Sequence, residues 1–180
     1  IKVIIMLIKI LILIILILIN GVFSATEIAF LSINKYKLNK EVKKGNKKAK
    51  KIVNLLNDSS TFLSAIQVAI TLSGFLSSAF AAESFAGEIA GKINISFLSQ
   101  STLTTILIVV ITIVLSYFTL VFGELVPKKI GIANPDKISY FMVDIIYAVI
   151  CFFKPLIKIL TLSTKIIEKL FRIENQEEEL

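Results

Sequence analysis

The chain has 180 residues, of which 56% are hydrophobic, and its mean hydropathy is +0.85. Soluble globular domains are less apolar, so this composition indicates an integral membrane protein. There are 20 basic and 13 acidic residues, one cysteine and no histidine. These counts exclude internal disulfides, Ser-His hydrolases and histidine-bound metal sites. No nucleophile–base pair is apparent, and we expect neither an enzyme nor a nucleic-acid-binding protein.

The first apolar segment, residues 3–31, is long enough to cross a bilayer. At about 1.5 Å per residue it exceeds the ~30 Å hydrocarbon core. A cleaved signal peptide is the alternative, because Lys2 and Lys9 could form its basic region, although its apolar part should then be only about 7–15 residues long. The polar residues of the later part of the segment are Asn20, Ser24, Thr26 and Glu27.

Residues 34–51 hold nine lysines and one acid. A basic segment beside a membrane span stays in the cytoplasm, and this one can also contact anionic lipid headgroups near Lys43–Lys51. The pattern predicts one amphipathic cytoplasmic helix. Its apolar positions are Val42, Ala49, Ile52, Val53 and Leu56.

Two further spans are predicted at about 61–82 and 102–126. The segment between them is small, polar and slightly acidic, as an outer loop should be, and the basic "PKK" after the third span belongs inside. We therefore predict an all-α integral membrane protein with three transmembrane helices, its N-terminus outside and its C-terminus in the cytoplasm.

Residues 136–172 are harder to interpret. The apolar stretch 138–153 is short for a crossing, contains Asp144 and is followed by Pro155. It predicts two cytoplasm-side juxtamembrane helices, a re-entrant or interfacial hairpin. A fourth crossing is the alternative, and it would place five basic residues on the outer side: Lys154, Lys158, Lys165, Lys169 and Arg172.

Each span carries one polar face at helical spacing. Small and hydroxylated residues on such faces are typical of helix packing in membranes. Packing accounts poorly for Glu27, Gln67 and Glu124, because ionisable or amide groups at membrane depth usually face a cavity or an ion path. The three faces comprise Asn20, Ser24 and Glu27 in the first span, Ser64, Gln67, Thr71, Gly74 and Ser78 in the second, and Thr105, Thr112, Ser116, Thr119 and Gly123 in the third.

The segment "FGELVPKK" ends the third span. Pro127 has no amide hydrogen, so a helix break is expected there, leaving the carbonyl of Gly123 free beside the Glu124 carboxylate. Such oxygens suit Mg²⁺ or Na⁺. Lys128 and Lys129 are expected to anchor the inner face. The alternative is a proline-terminated helix whose Glu124 reaches the interface.

Three segments resemble the transmembrane domain of the CorC/HlyC-type, cyclin M-like (CNNM) magnesium transporter family. They are "FSATEIAFLSINKYKL", "FLSAIQVAITLSGFLSSAFA" and "GELVPKKIGIANPDKI". The element "GE-x-x-PK" is the most specific of them. The resemblance covers most of residues 1–172, and 173–180 would begin a linker to a missing cytoplasmic CBS-domain pair.

The resemblance implies a homodimer in the cell membrane, of the bacterial inner-membrane type. It implies outward Mg²⁺ transport coupled to Na⁺, and a nucleotide such as ATP bound only in the missing CBS region. The family's "S-x-x-E" serine falls on Ser24, and its "GE-x-x-PK" element falls on Gly123, Glu124, Pro127 and Lys128.

One departure concerns the second span. Transporting members often show "N-T-x-x-N", whereas Ile70 and Gly74 occupy the asparagine positions here. Gln67 lies one turn away and, with Thr71, completes the candidate ligand set. The departure favours an alternative function, in which the domain is a non-transporting membrane anchor and dimer platform for a nucleotide-sensing regulator of the hemolysin-C type.

Overall fold

The computed structural model describes residues 2–91 and 99–171. The linker expected at 173–180 and Arg172 lie outside the described residues. The described part is all-helical. Its elements are α1 (Lys2–Ser32), α2 (Lys35–Lys43), α3 (Lys47–Asn57), α4 (Ser59–Ala90), α5 (Gln100–Leu120), a π-helical turn (Val121–Leu125), α6 (Val126–Ala133), α7 (Pro135–Phe152) and α8 (Lys154–Leu170).

Three helices are long and apolar enough to cross a membrane. They are α1, α4 and the continuous helix Gln100–Ala133, which joins α5, the π turn and α6. The helices α7 and α8 would make a fourth span only as a pair, and their axes differ by 83°. The predicted all-α membrane class with three spans and additional helices is confirmed.

The lysine-rich segment forms two helices, so the prediction of one continuous helix is wrong. The chain turns between α2 and α3, where Gly45 has a φ of 84°. That left-handed conformation favours glycine, which has no Cβ. The side chain of Asn46 then accepts hydrogen bonds from the amides of Lys48 and Ala49 and caps α3. Local turn chemistry therefore outweighs the amphipathic pattern.

The main hydrophobic core lies at the lysine-rich end of the bundle. It joins the end of α1, the start of α4 and parts of α2, α3 and α7. Phe30 and Phe62 stack at its centre, with their ring centroids 4.8 Å apart. The buried members are Phe30, Ile33, Leu38, Ala49, Ile52, Leu55, Phe62, Ile66, Met142, Val143 and Ile146.

Ion pairs attach α7 to the lysine-rich helices. The Asp144 carboxylate lies 2.7 Å from Lys51 Nζ and 3.3 Å from Lys48 Nζ. Lys37 donates a hydrogen bond to Asp136, and this bond raises the pKa of Lys37. Asp144, which is hard to place in a crossing, is thus paired with the basic segment. These contacts place α7 on the same side of the bundle as α2 and α3.

The first span crosses the third so closely that glycine is required in both helices. A Cβ on Gly131 would lie 2.4 Å from the backbone oxygen of Ala25. A Cβ on Gly21 would lie 2.9 Å from both the Phe122 carbonyl oxygen and Pro127 Cγ. Close backbone approach at small residues is a common way to join helices in membranes.

The topology can be tested by cysteine labelling in a Cys151→Ser background. With three crossings and the lysines inside, an impermeant reagent added outside should modify Gln100→Cys and spare Lys50→Cys, because a basic segment stays cytoplasmic. Both positions are exposed. After permeabilisation both should react. Labelling of Lys50→Cys alone in sealed cells would contradict the orientation.

Gly131→Ala should lower the free energy of unfolding. Its added methyl group meets backbone, which cannot move aside as a side chain can, and overpacking of this kind costs about 1–3 kcal/mol. Gly87→Ala is the matched control, since a Cβ there meets nothing within 4 Å. Thermal unfolding in one detergent, followed by circular dichroism, compares the two. Equal stability of both variants would show that the helices can separate at no cost.

Candidate functional site

The polar faces of the three spans meet at a cavity of about 340 Å³. It lies between α1, α4 and the helix that contains the π turn. Both polar and apolar side chains form its walls. The lining residues are Asn20, Gln67, Ile70, Thr71, Gly74, Phe75, Ser78, Ser116, Thr119, Leu120 and Glu124.

Glu124 is the acidic residue in this lining. Its side chain is half-buried and, within residues 2–91 and 99–171, forms no hydrogen bond or ion pair. No group of three or more His, Cys, Asp or Glu residues in that part of the chain could hold a metal. The cavity therefore offers a single carboxylate, surrounded by amides and hydroxyls.

The helix does not break at Pro127, so that prediction is wrong. The π turn at Val121–Leu125 comes just before the proline, and the amide of Val126 bonds to the carbonyl of Val121, five residues back. The wider turn accommodates the missing proline amide without ending the helix, and the span continues to Ala133. Glu124 lies within this turn.

The carbonyl of Gly123 is not free as expected. The side-chain amide of Asn20 in α1 donates a hydrogen bond to it over 3.3 Å. A Cβ on Gly123 would lie 2.8 Å from Asn20 Nδ2, so only glycine permits this contact. One face of Asn20 thus supports the π turn, while the residue also lines the cavity.

Two buried oxygens on α1 have no hydrogen-bond partner within the described residues. They are Asn20 Oδ1 and Ser24 Oγ, one helical turn apart. Ser24 is fully buried and does not line the cavity, unlike Gln67, Thr71 and Glu124. Buried polar atoms usually have a partner, so these two oxygens are candidates for binding water or a cation.

The side chain of Gln67 is oriented by its own helix. Its Nε2 donates to Thr71 Oγ1 over 3.3 Å, which leaves the Gln67 carbonyl oxygen available at the cavity. Ile70 and Gly74, which occupy the positions where the family resemblance implies asparagine, lie in the same wall. The amide that faces the cavity from another span is that of Asn20.

Comparison with known proteins identifies the family of the chain. A family model described as the cyclin M transmembrane N-terminal domain matches residues 11–180. The chain belongs to the cyclin M transmembrane family. It is a multi-pass membrane protein of a transporter-like family.

Individual relatives are similar over most of the chain. A UPF0053 protein of Synechocystis sp. is 34% identical over 88% of the chain and 36% of its own length. A polyamine export protein of Haemophilus influenzae is 27% identical over 89% of the chain and 37% of its own length. A UPF0053 inner membrane protein of Escherichia coli is 27% identical over 87% of the chain and 33% of its own length. The chain spans about a third of the length of these curated relatives.

The two lysines beside the site differ in their surroundings. Lys128 is half-buried, and its Nζ lies 3.7 Å from Glu27 Oε2. Lys129 is exposed. Lys128 therefore links α6 of this cyclin M domain to α1. Lys129 is free to make the predicted contact with lipid headgroups.

Sequence reasoning selected only part of the cavity. Asn20, Ser78, Ser116 and Thr119 line it but were not chosen as site residues. Each belongs to one of the three polar faces, so periodicity had already identified the correct sides of the helices. Periodicity does not show at which level along the helices the cavity lies. Ser116 and Thr119 therefore line it, whereas Thr105 and Thr112 on the same face do not.

Asn20→Leu should destabilise the cyclin M fold at the π turn. Leucine has a similar volume but cannot donate to the Gly123 carbonyl, and an unpaired buried polar group costs about 1–3 kcal/mol. Thr26→Val is the control, because the Thr26 hydroxyl bonds to Val22 of its own helix. Denaturant unfolding in micelles compares the variants. An Asn20→Leu protein as stable as wild type would show that the Gly123 carbonyl needs no partner.

Proposed function

We propose that this domain is a cation transporter whose cargo binds at Glu124 in the cavity, with Mg²⁺ as the first candidate. The observation that supports this most is the Glu124 carboxylate at membrane depth, which has no partner among the described residues. An ionised group is costly there unless a partner compensates it. A cation bound in the cavity would be that partner.

The available ligands suit Mg²⁺ in number and type. Glu124 contributes a carboxylate, Asn20 an unpartnered amide oxygen, and Gln67 a second amide oxygen. Mg²⁺ prefers oxygen and usually keeps several waters, so one carboxylate is sufficient. The hydroxyls of Ser116 and Thr119 can bond to those retained waters. Ser24 lies one helical turn after Asn20 on α1 and would bind a cation that moves along α1 beyond the cavity.

The remaining features of the proposal follow the family resemblance. Transport is outward and coupled to Na⁺, the domain works as a homodimer through the second and third spans, and the N-terminus faces outward from a bacterial inner membrane. A nucleotide such as ATP would bind in a CBS region of a longer chain. Lipid headgroups would contact the basic segment Lys43–Lys51.

A polyamine is the second candidate cargo. The relative from Haemophilus influenzae is named a polyamine export protein. A polyamine combines ammonium groups with methylene segments, and this cavity pairs one carboxylate with an apolar wall formed by Ile70, Phe75 and Leu120. An ammonium group at Glu124 and methylenes against that wall would satisfy both parts of the molecule.

The alternative function is a membrane anchor that does not transport. Ile70 and Gly74 in the cavity wall favour it, because they remove ligands that transporting relatives often have there. The domain would then hold two cytoplasmic regulatory regions together. Its polar cavity would contain water only.

Flux through liposomes separates these functions. The purified protein is reconstituted with a Mg²⁺-sensitive dye inside, or with spermidine inside and mass spectrometry of the outer solution. Movement of Mg²⁺ supports a Mg²⁺ transporter, and movement of spermidine supports a polyamine transporter. A folded protein that moves neither cargo, with or without a Na⁺ gradient, would be the anchor.

Glu124→Gln should lower Mg²⁺ affinity by tenfold or more. The substitution keeps the shape but removes the charge, and bonds to ionised groups are worth about 1.5–3 kcal/mol, where 1.4 kcal/mol is a factor of ten. Glu83→Gln is the control, since this exposed glutamate on α4 does not line the cavity. Calorimetric titration of Mg²⁺ measures both. Unchanged affinity in a folded Glu124→Gln protein would eliminate the site.

A further inference from the structure

The helix α8 has two opposite faces of different chemistry. At 3.6 residues per turn, its four lysines fall within about 60° of one another around the axis, and we call them the lysine stripe. The opposite face consists mainly of large apolar side chains, and these are exposed. The lysine stripe is Lys154, Lys158, Lys165 and Lys169, and the apolar face includes Leu156, Ile159, Leu160, Ile166, Ile167 and Leu170.

The lysine stripe has no acidic partner within residues 2–91 and 99–171. The basic segment of α2 and α3 is different, because several of its lysines are paired with acids. Those pairs are Lys37 with Asp136, Lys44 with Glu41, and Lys48 and Lys51 with Asp144. The charge of α8 is therefore available to a ligand outside the described chain, and that ligand must be anionic.

The apolar face also needs a partner. Ile166 is 61% exposed and Leu170 is 77% exposed. The 17 residues of α8 extend only about 26 Å, less than the ~30 Å hydrocarbon core, and four lysines in its interior would be costly. A helix with this charge and apolar pattern lies in the plane of the membrane interface. The 83° bend after α7 permits that orientation.

We propose that α8 lies in the cytoplasmic interface and that its lysine stripe binds the phosphates of anionic phospholipids. The apolar face enters the acyl region, and the lysines extend to the headgroups above it. The side of the membrane follows from α7, which Asp144 attaches to the basic helix α3.

Lipid bound to α8 would also affect the cavity. The helix α8 contacts α4, and Ile157 is its buried residue. Since α4 forms one wall of the cavity, lipid bound to α8 would fix the position of that wall. The lipid site does not depend on which cargo the cavity carries.

The lipid preference is tested in nanodiscs of phosphatidylcholine mixed with phosphatidylglycerol. Replacing all four stripe lysines by glutamine should lower the affinity for phosphatidylglycerol, read as the copies retained in native mass spectrometry, by about tenfold or more. The matched control replaces the same four lysines by arginine, which keeps the positive charge and should keep the lipid. Unchanged lipid retention in the folded glutamine variant would overturn the proposal and favour the basic segment Lys43–Lys51 instead.

The orientation of α8 is tested with a fluorophore at a single cysteine in a Cys151→Ser background. A probe at Ile166→Cys should be quenched by lipid-attached quenchers at least about threefold more than one at Lys165→Cys, because adjacent helical residues face different directions. Equal quenching at the two positions would exclude an interfacial helix. Shielding of Ile166→Cys from lipid would show that a protein surface covers the apolar face, and this also overturns the proposal.

Discussion

The close crossing of the first and third spans is the contact on which the rest of the structure depends. Gly21 and Gly131 let the two backbones meet without side chains between them. Apolar surface gives little drive for helix association in lipid, so such packing and interhelical hydrogen bonds must supply it. The crossing also fixes Asn20 opposite Gly123. Positioning of the cavity thus follows from the absence of two side chains.

The π turn resolves a conflict between proline and a membrane environment. In a regular helix, Pro127 would leave the carbonyl of Gly123 without an amide donor, which is costly in lipid. The π turn widens the helix, and Asn20 from another helix supplies a hydrogen bond to that carbonyl. The same turn carries Glu124 to the cavity. An irregular backbone is therefore stable here because a neighbouring helix completes its hydrogen bonding.

The sequence was sufficient for the spans and for their polar faces, since both depend on local periodicity. It could not predict that Asn20 would meet Gly123, because that contact joins positions 103 residues apart. It also could not distinguish a break from a π turn, as both begin with the same missing amide at Pro127. The turn at Gly45 was missed for a different reason. The prediction of one helix relied on the spacing of apolar residues and gave too little weight to a Gly-Asn pair, which is typical of a helix end.

Among the described residues, several charged residues of the spans pair between helices, whereas Glu124 does not. Lys9 on α1 pairs with Glu88 on α4 over 2.6 Å. Near the other end of α1, Glu27 pairs with Lys128. Both pairs join helices, and each neutralises a charge that lipid would not solvate. Glu124, within the same bundle, has no basic partner among the described residues, although Lys128 is only four positions away in the chain. The fold therefore directs the available lysine to Glu27 and leaves the negative charge of Glu124 facing the cavity, where a cation can compensate it.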